Sequence, residues 1–478
     1  MRRNKCGFFK IWVCVTIVFL RLFDATAQTD TTKVLSVAEF VAAVKQYHPV
    51  AKQAMLISEQ AKAELRIARG GFDPLLYSDY NRKTYDGNSY YSYFENKIAV
   101  PTWYGIEVKA GYDFVYGDRI NNENKLPNDG LGYLGISVPL AKNLFIDKRR
   151  AALKQAQIFR EASEQQRLII LNDLLLDALT TYYEWAWSYR EYSVYKEAVQ
   201  LASIRFEATK KSAEFGDKPA IDTTEALTQL QSRLLQLSDA RLKFISNGLE
   251  LSNFLWLEND EPLPFDTTIV PVALNSDYIE SIIELSRLDD LVSEVRLNHP
   301  QVLNYNFKLK QLDIERRLKI ENLKPTLNAN YNILSERFNF RSSNGLVLSN
   351  NYKFGVNFSM PLTFAQGRGE LKLAKLKILD TRYQLNYKTQ EIVNKLRTYF
   401  NQLITLQQQT KIYQESLVGF KRLLDGELMR FTRGESSLFL VNARENRYLE
   451  AQIKLSELQA KYFITEAKVK WAAGNFNQ

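Results

Sequence analysis

Two carboxylates three positions apart, Asp222 and Glu225, stand at the end of the stretch KSAEFGDKPAID and just beyond it. On a helix, that spacing puts both on one face. Close to a helix start they would also favour the positive end of the helix dipole. Nothing around them specifies an enclosed pocket for acid–base work. The rest of the inventory argues against catalysis. The chain has 2 histidines, His48 and His299, and its 2 cysteines, Cys6 and Cys14, both fall within the first 27 residues, which read as a cleaved leader; the mature chain would then have too few ligands for a structural zinc site. No Gly-x-Ser-x-Gly elbow or phosphate-cradling glycine loop is present. No catalytic residue, metal or cofactor is expected. Each histidine precedes a proline, and His-Pro reads as a helix boundary with proline at the first helical position.

The chain has 478 residues, 45% hydrophobic and 24% charged, which are globular values. It opens on a basic MRRNKCGFFK, an apolar IWVCVTIVFL and a small-residue ATAQ, the grammar of a signal peptide over 1–27. The apolar run is short for a membrane span, which needs about 20 residues. Residues 1–27 carry five basic side chains and one acidic, so the +9 of the whole chain falls to +5 after cleavage. That mild charge predicts no nucleic-acid partner. Both cysteines lie in the leader, so the mature chain would be free of thiols and disulfides. Cys14 sits inside the apolar run before Val15 and makes a poor lipid-attachment site.

Long-range repetition positions these residues. His48-Pro49 answers His299-Pro300 at an offset of 251, Pro139 answers Pro361 at 222, and Gly216 answers Gly434 at 218. The first half has 29 extra residues between Gly71 and Pro139. Each half reads as a short helix, a second helix (Val50–Arg69 and Gln301–Leu323), strands, a proline, a long helix, a glycine turn and a return helix. The strands alternate. Val108, Ala110, Tyr112 and Phe114 oppose Glu107, Lys109, Gly111 and Asp113; Phe354, Val356 and Phe358 oppose Lys353, Gly355, Asn357 and Ser359. This code suits a transmembrane barrel wall and equally a soluble sandwich. The 14 aromatic side chains in residues 72–139 favour the barrel, whose rims carry such girdles.

Lys142–Ala213 contains no proline or glycine, and Glu370–Phe431 no proline and two glycines, Gly419 and Gly426. Rods of about 70 residues would reach about 105 Å and need a partner along their length. The return helices, about Pro219–Trp256 and Ser437–Ala472, fall short of them. The second helix of the opposite half is expected to stack end to end and fill the gap. Residues 257–298, with a helix over Tyr278–Leu297, are expected to belt the rods.

The stretch NYKFGVNFSMPLTFAQGRGELKLAK places a strand directly before a long helix. Pro361 would end the strand, and Gly367 and Gly369 would let the chain bend. In the first half Pro139 and PLAKNLFID do the same job.

This order of parts resembles the TolC-type outer-membrane efflux and secretion channel family. The stretches FDPLLYSDYNRKTYDG, PTWYGIEVKAGYDF and GISVPLAKNLFIDKRRAAL resemble its Bacteroidetes-type branch. The resemblance covers nearly all of the mature chain. It implies an α+β fold: internally duplicated outer-membrane β-barrel strands joined to very long helices of a periplasmic α-barrel, with a mixed equatorial region. The first repeat would span 28–256 (strands about 72–139, long helices about 141–256), the linker 257–298, and the second repeat 299–478 (strands about 325–361, long helices about 366–472). It further implies a homotrimer in the cell outer membrane, with four strands per copy in a shared twelve-stranded barrel. That channel would be a passive export duct joined through a periplasmic adaptor (membrane fusion) protein to an inner-membrane transporter of RND or ABC type. The extra residues at about 86–104 depart from the pattern and read as either strands or a loop, with the alternation at Tyr90–Val100 on the side of a strand.

Family members narrow the periplasmic entrance with acidic residues six and nine positions after the tip glycine. Those offsets give Asp222 and Glu225 in the first half but Leu440 and Ala443 in the second. The resemblance places the adaptor-docking tips at Gly216 and Gly434, flanked by Phe215, Lys218, Phe431 and Arg433. The rival reading is a secreted or surface-attached coiled-coil structural or adhesion protein, whose strands would bury their apolar face internally. The exported substrate is not legible.

Overall fold

The computed structural model describes residues 33–274, 287–336, 351–474 and Phe476. The leader and the first part of the helix expected over Tyr278–Leu297 lie outside the described residues. In chain order come β1 (Lys33–Leu35), α1 (Val37–Tyr47), α2 (Pro49–Gly70), β2 (Leu75–Tyr85), β3 (Asn88–Pro101), β4 (Glu107–Tyr116) and β5 (Leu131–Pro139). Then follow α3 (Lys148–Glu214), α4 (Ala220–Ser252), β6 (Ile269–Pro271), α5 (Arg287–Asn298), α6 (Pro300–Glu321), β7 (Thr326–Glu336), β8 (Tyr352–Ser359), α7 (Ala365–Thr432) and α8 (Leu438–Ala473).

The two rods α3 and α7 run unbroken for 67 and 68 residues, about 100 Å each. α3 packs against α2 and α6 and also against α4 and α8, while α7 packs against α6 and α8. The wall is therefore four helices wide in both its parts, and α3 and α7 are shared by the two.

The stacking differs from the expectation. The helix that completes each return column comes from the same half, not the opposite one. His48, at the start of α2, stacks on Phe254 just past α4, with ring centroids 5.7 Å apart. Gly474, just past α8, lies so close to α6 that a Cβ there would come within 2.8 Å of Pro300 Cδ. Both histidines are N-caps: His48 Nδ1 accepts from Val50 N at 3.1 Å and His299 Nδ1 from Gln301 N at 3.2 Å. Each ring also lies against the end of the return column it meets, His48 on Phe254 and His299 beside Gly474. Each side chain thus satisfies an orphan N–H at the start of its own helix. Burial holds both imidazoles below their ordinary range, His299 at about 4.

Each half carries its large core at this level. In the first, Phe40, Tyr182, Trp185, Phe244 and Leu251 are buried together. In the second, Val295, Val302, Ile392, Leu396, Phe400 and Ala472 form the matching cluster. Burying each such large side chain fully stabilises by roughly 1.5–3 kcal/mol. The linker belts the first core. β6 pairs in parallel with β1, and Phe265 lies against Gly248, where a Cβ would sit 2.2 Å from its ring.

The large sheet has six strands in the order β2-β3-β4-β5-β7-β8, all neighbours antiparallel. The extra residues of the first half therefore form strand β3 and complete a hairpin, giving six strands in the large sheet among the described residues where the resemblance implied four. Asp86 (φ 52°) and Gly87 (φ 73°) make its two-residue turn, the backbone that matches strand twist. On one face Leu76, Ile98, Ala110, Leu134, Ile333 and Tyr352 form a row across all six strands. Val100, Val108, Ile136, Tyr331 and Phe354 form the next. One row on this face, Ser78, Asn96, Tyr112, Gly132 and Ser335, interrupts the apolar pattern. The opposite face presents Asp79, Glu95, Asp113, Leu131 and Glu336 in one row and Lys109, Gly135, Asn332 and Lys353 in another. The apolar face stays open to solvent in the isolated chain, with Phe354 60% and Phe358 65% exposed.

Candidate functional site

Two regions collect the candidate residues: the crossover from sheet to helices, and the tips of the rods.

At the crossover Pro139 closes β5, and Leu140 N and Lys142 N then bond Leu327 O (2.7 Å) and Pro325 O (3.0 Å) in the other half. Glu321, only 3% exposed at the end of α6, accepts from Leu144 N at 3.1 Å and Phe145 N at 3.4 Å. The PLAKNLFID segment is thus held by a carboxylate from the second half. Asp147 caps α3 by accepting from Arg150 N at 2.9 Å. The Arg150 guanidinium donates to the Asn143, Leu144 and Tyr104 carbonyls and so ties the β3–β4 turn to the start of α3. Sequence reasoning missed Glu321 and Arg150, because a charge at a helix end looks the same whether or not a loop folds over it.

Pro361 lies just beyond β8 as expected, but the bend is not at the glycines. Gly367 and Gly369 are helical residues within α7, and the turn is made by Phe364 at φ 51°. Gly367 lies close to α6: a Cβ there would stand 2.8 Å from Leu323 Cδ2, the end of a side chain just past that helix, which would have to move aside.

At the tips, Gly216 and Gly434 share φ +79°. Asp217 N bonds Ser212 O and Gly216 N bonds Ala213 O; Glu435 N bonds Arg430 O and Gly434 N bonds Phe431 O. Each tip is thus a Schellman cap with glycine at its left-handed position. The tips touch one another, with Lys218 Nζ 4.4 Å from the Phe431 ring centroid. Phe215 is 81% exposed, and Arg433 is exposed beside Gly434.

Asp222 sits in the first turn of α4, half-buried, with no side-chain bond among the described residues. Glu225 is engaged: its Oε1 accepts from Asn442 Nδ2 at 3.1 Å. Asn442 Oδ1 accepts in turn from Arg205 Nη1 at 3.0 Å, and Arg205 pairs with the buried Glu445 at 2.5 Å. About two helical turns further along α4 the buried Arg233 bonds Asn446 and Gln236, and burial pulls its pKa down. Arg205 and Arg233 were not legible as partners, because long polar side chains on an amphipathic helix read as solvated unless the facing helix is known. Among the described residues no group of histidine, cysteine and carboxylate side chains could hold a metal ion, and no helix is long and apolar enough to cross a membrane.

Comparison with known proteins agrees with this geometry. The outer membrane protein TolC of Vibrio cholerae serotype O1 is 19% identical over 375 residues, covering 78% of this chain and 82% of that protein. The outer membrane channel CmeC of Campylobacter jejuni superposes with a TM-score of 0.63 at 16% identity, over 91% of this chain and 85% of that one. The open state of the Neisseria gonorrhoeae outer membrane channel MtrE gives 0.64 at 16% identity, over 91% and 88%. The family model described as "Outer membrane efflux protein" matches residues 109–255 and 291–475. With the sheet above, the paired rods below and both long rods with their return helices almost wholly inside the matched segments, the chain belongs to the outer membrane efflux protein family: a TolC-type, non-catalytic outer-membrane channel chain with a long periplasmic helical extension.

Proposed function

We propose that three copies of this chain close into a passive export duct, joined at the rod tips to a periplasmic adaptor and through it to an inner-membrane transporter of RND or ABC type. The observation that carries this reading is the curled sheet with two free edges and an uncovered apolar face, set on helices of about 100 Å. One copy cannot close a barrel, and a sheet edge cannot be left open in lipid. The same uncovered face speaks against a secreted adhesion protein, which would bury it. The repeat boundaries, 28–256 and 299–478 with the linker 257–298, are part of this proposal. The likeness to the Bacteroidetes-type branch rests on the sequence stretches alone.

Within this reading, Gly216 and Gly434, with Phe215, Lys218, Phe431 and Arg433, form the adaptor-docking surface. Asp222 and Glu225 narrow the entrance, supported by their place one turn above the tip. Cross-linking of the detergent-extracted protein tests the assembly. A trimer is expected, and a dominant stable monomer would overturn it.

A further inference from the structure

The hairpin β2–β3 is the feature that neither the family match nor the resemblance absorbs. The matched segments begin at residue 109, inside β4, so the hairpin lies outside them. Resting on the three-copy reading above, we propose that all six strands of each copy stand in the membrane wall. The barrel would then have eighteen strands, closed by pairing β8 of one copy with β2 of the next.

Four observations carry this. The outward apolar row passes through β2 and β3 without a break: Leu76 and Ile98 continue the line of Ala110, Leu134, Ile333 and Tyr352. An external hairpin folded over the rim would have no reason to keep that register, because a one-residue slip turns every side chain to the other face. Next, the base of β3 is fixed to the collar. Trp103, in the turn after it, stacks on Phe72 after α2 at 4.8 Å with the rings 5° from parallel, and Arg150 holds the Tyr104 carbonyl of the same turn.

Third, the free edges are β2 and β8, and β2 is exposed along its whole length. Lipid offers no partner to their N–H and C=O groups. A second copy of this chain offers the complementary edge at the right height, since β2 rises from the collar after α2 and β8 descends to α7. Fourth, β2 ascends and β8 descends, so their pairing is antiparallel, and six strands per copy keep the whole wall antiparallel. Barrel diameter grows roughly linearly with strand number, so such a wall would be about 1.5 times as wide as a twelve-stranded one.

The test is disulfide scanning in the full-length chain. Single cysteines at Tyr77, Asp79 or Asn81 of β2 are combined with single cysteines at Lys353, Gly355 or Asn357 of β8, all on the polar face. A heat-modifiable gel shift reports that each variant is folded, and native mass in detergent reports the assembly. The proposal expects at least one combination to give trimers linked covalently through three β2–β8 bonds. A parallel set joins β8 to Glu107 or Lys109 of β4, the pairing that a twelve-stranded wall would need. A folded trimer that links through β4–β8, or through no β2–β8 combination, overturns the eighteen-stranded wall and leaves the three-copy duct standing. A native mass of one or two copies overturns the duct reading itself, and this inference with it.

Discussion

Glu225 accepts a 3.1 Å hydrogen bond from Asn442 just above the tips, and with the bonds from Gln229 and Arg233 to Asn446 it joins the return helices of the two halves. Glutamine at 225 can still accept that bond, and alanine cannot. Glu225→Gln should therefore leave thermal stability nearly unchanged, while Glu225→Ala should cost about 1 kcal/mol and raise single-channel conductance in planar bilayers by loosening α4 from α8. Substituting lysine at both Asp222 and Glu225 should lower the preference for cations. Unaltered conductance and selectivity in all three variants would leave both residues as helix-end carboxylates only.

A pH prediction follows from His299. Burial first, and Lys388 nearby, hold its folded-state pKa at about 4, below the 6.5 of the unfolded chain. Between those values the unfolded state binds the proton and the folded state does not. The stability is fully present above about pH 6.5 and is lost as pH falls toward 4. The loss is on the order of 3 kcal/mol. Denaturant midpoints measured from pH 7 to 4 should fall for the wild type. They should fall less for His299→Asn, which keeps an N-cap acceptor but does not titrate.

The tip glycines give a stability prediction. A Cβ would meet nothing within 4 Å at Gly216 or Gly434, so the cost of alanine is the left-handed backbone alone. Each Gly→Ala change should cost roughly 1–2 kcal/mol, and asparagine less. Circular dichroism melts of the two singles and the double would show near-additive losses. A loss confined to one half would contradict the identical geometry of the tips.

Glu321 should behave as a structural clamp. Removing its carboxylate in Glu321→Ala leaves two backbone N–H groups of the crossover without an acceptor, at a cost of roughly 1–3 kcal/mol each where they stay buried. The temperature of the heat-modifiable gel shift should drop clearly. Glu321→Gln, whose amide oxygen can accept from the same two groups, should restore most of it.

Single cysteines read the sheet's two faces. At Phe354, Val356 and Phe358 they should resist aqueous thiol reagents, and at Asn357 and Ser359 they should react slowly. Equal reactivity on both faces would remove β8 from the membrane. The measurement is clean, because Cys6 and Cys14 are the only native cysteines.

Much of this was legible in one dimension. Rods, returns, the His-Pro boundaries and the alternation of β4 and β8 are local patterns, and local patterns survive in sequence. The tips were also legible, because a glycine after a long helix has one common use. What stayed hidden was relational. Which helix stacks under His48 depends on Phe254, far along the chain. The approach of Gly367 to Leu323 is a contact that local composition cannot report. The partner of Glu225 stayed hidden because Asn442 belongs to the other half. The strand β3 was half visible in Tyr90–Val100, and only its ladder with β2 and β4 settled it.

The histidine joints have a mechanical consequence. Along α3 and α7 every turn is tied to the next by backbone hydrogen bonds, and bending must strain them. In the columns made of α2 with α4, and α6 with α8, that ladder stops once, at His48 and at His299, where an imidazole caps one side of the break and packs against the other. Compliance is concentrated at those two points. The chain is a pair of stiff splints, each laid beside a strut with a single hinge.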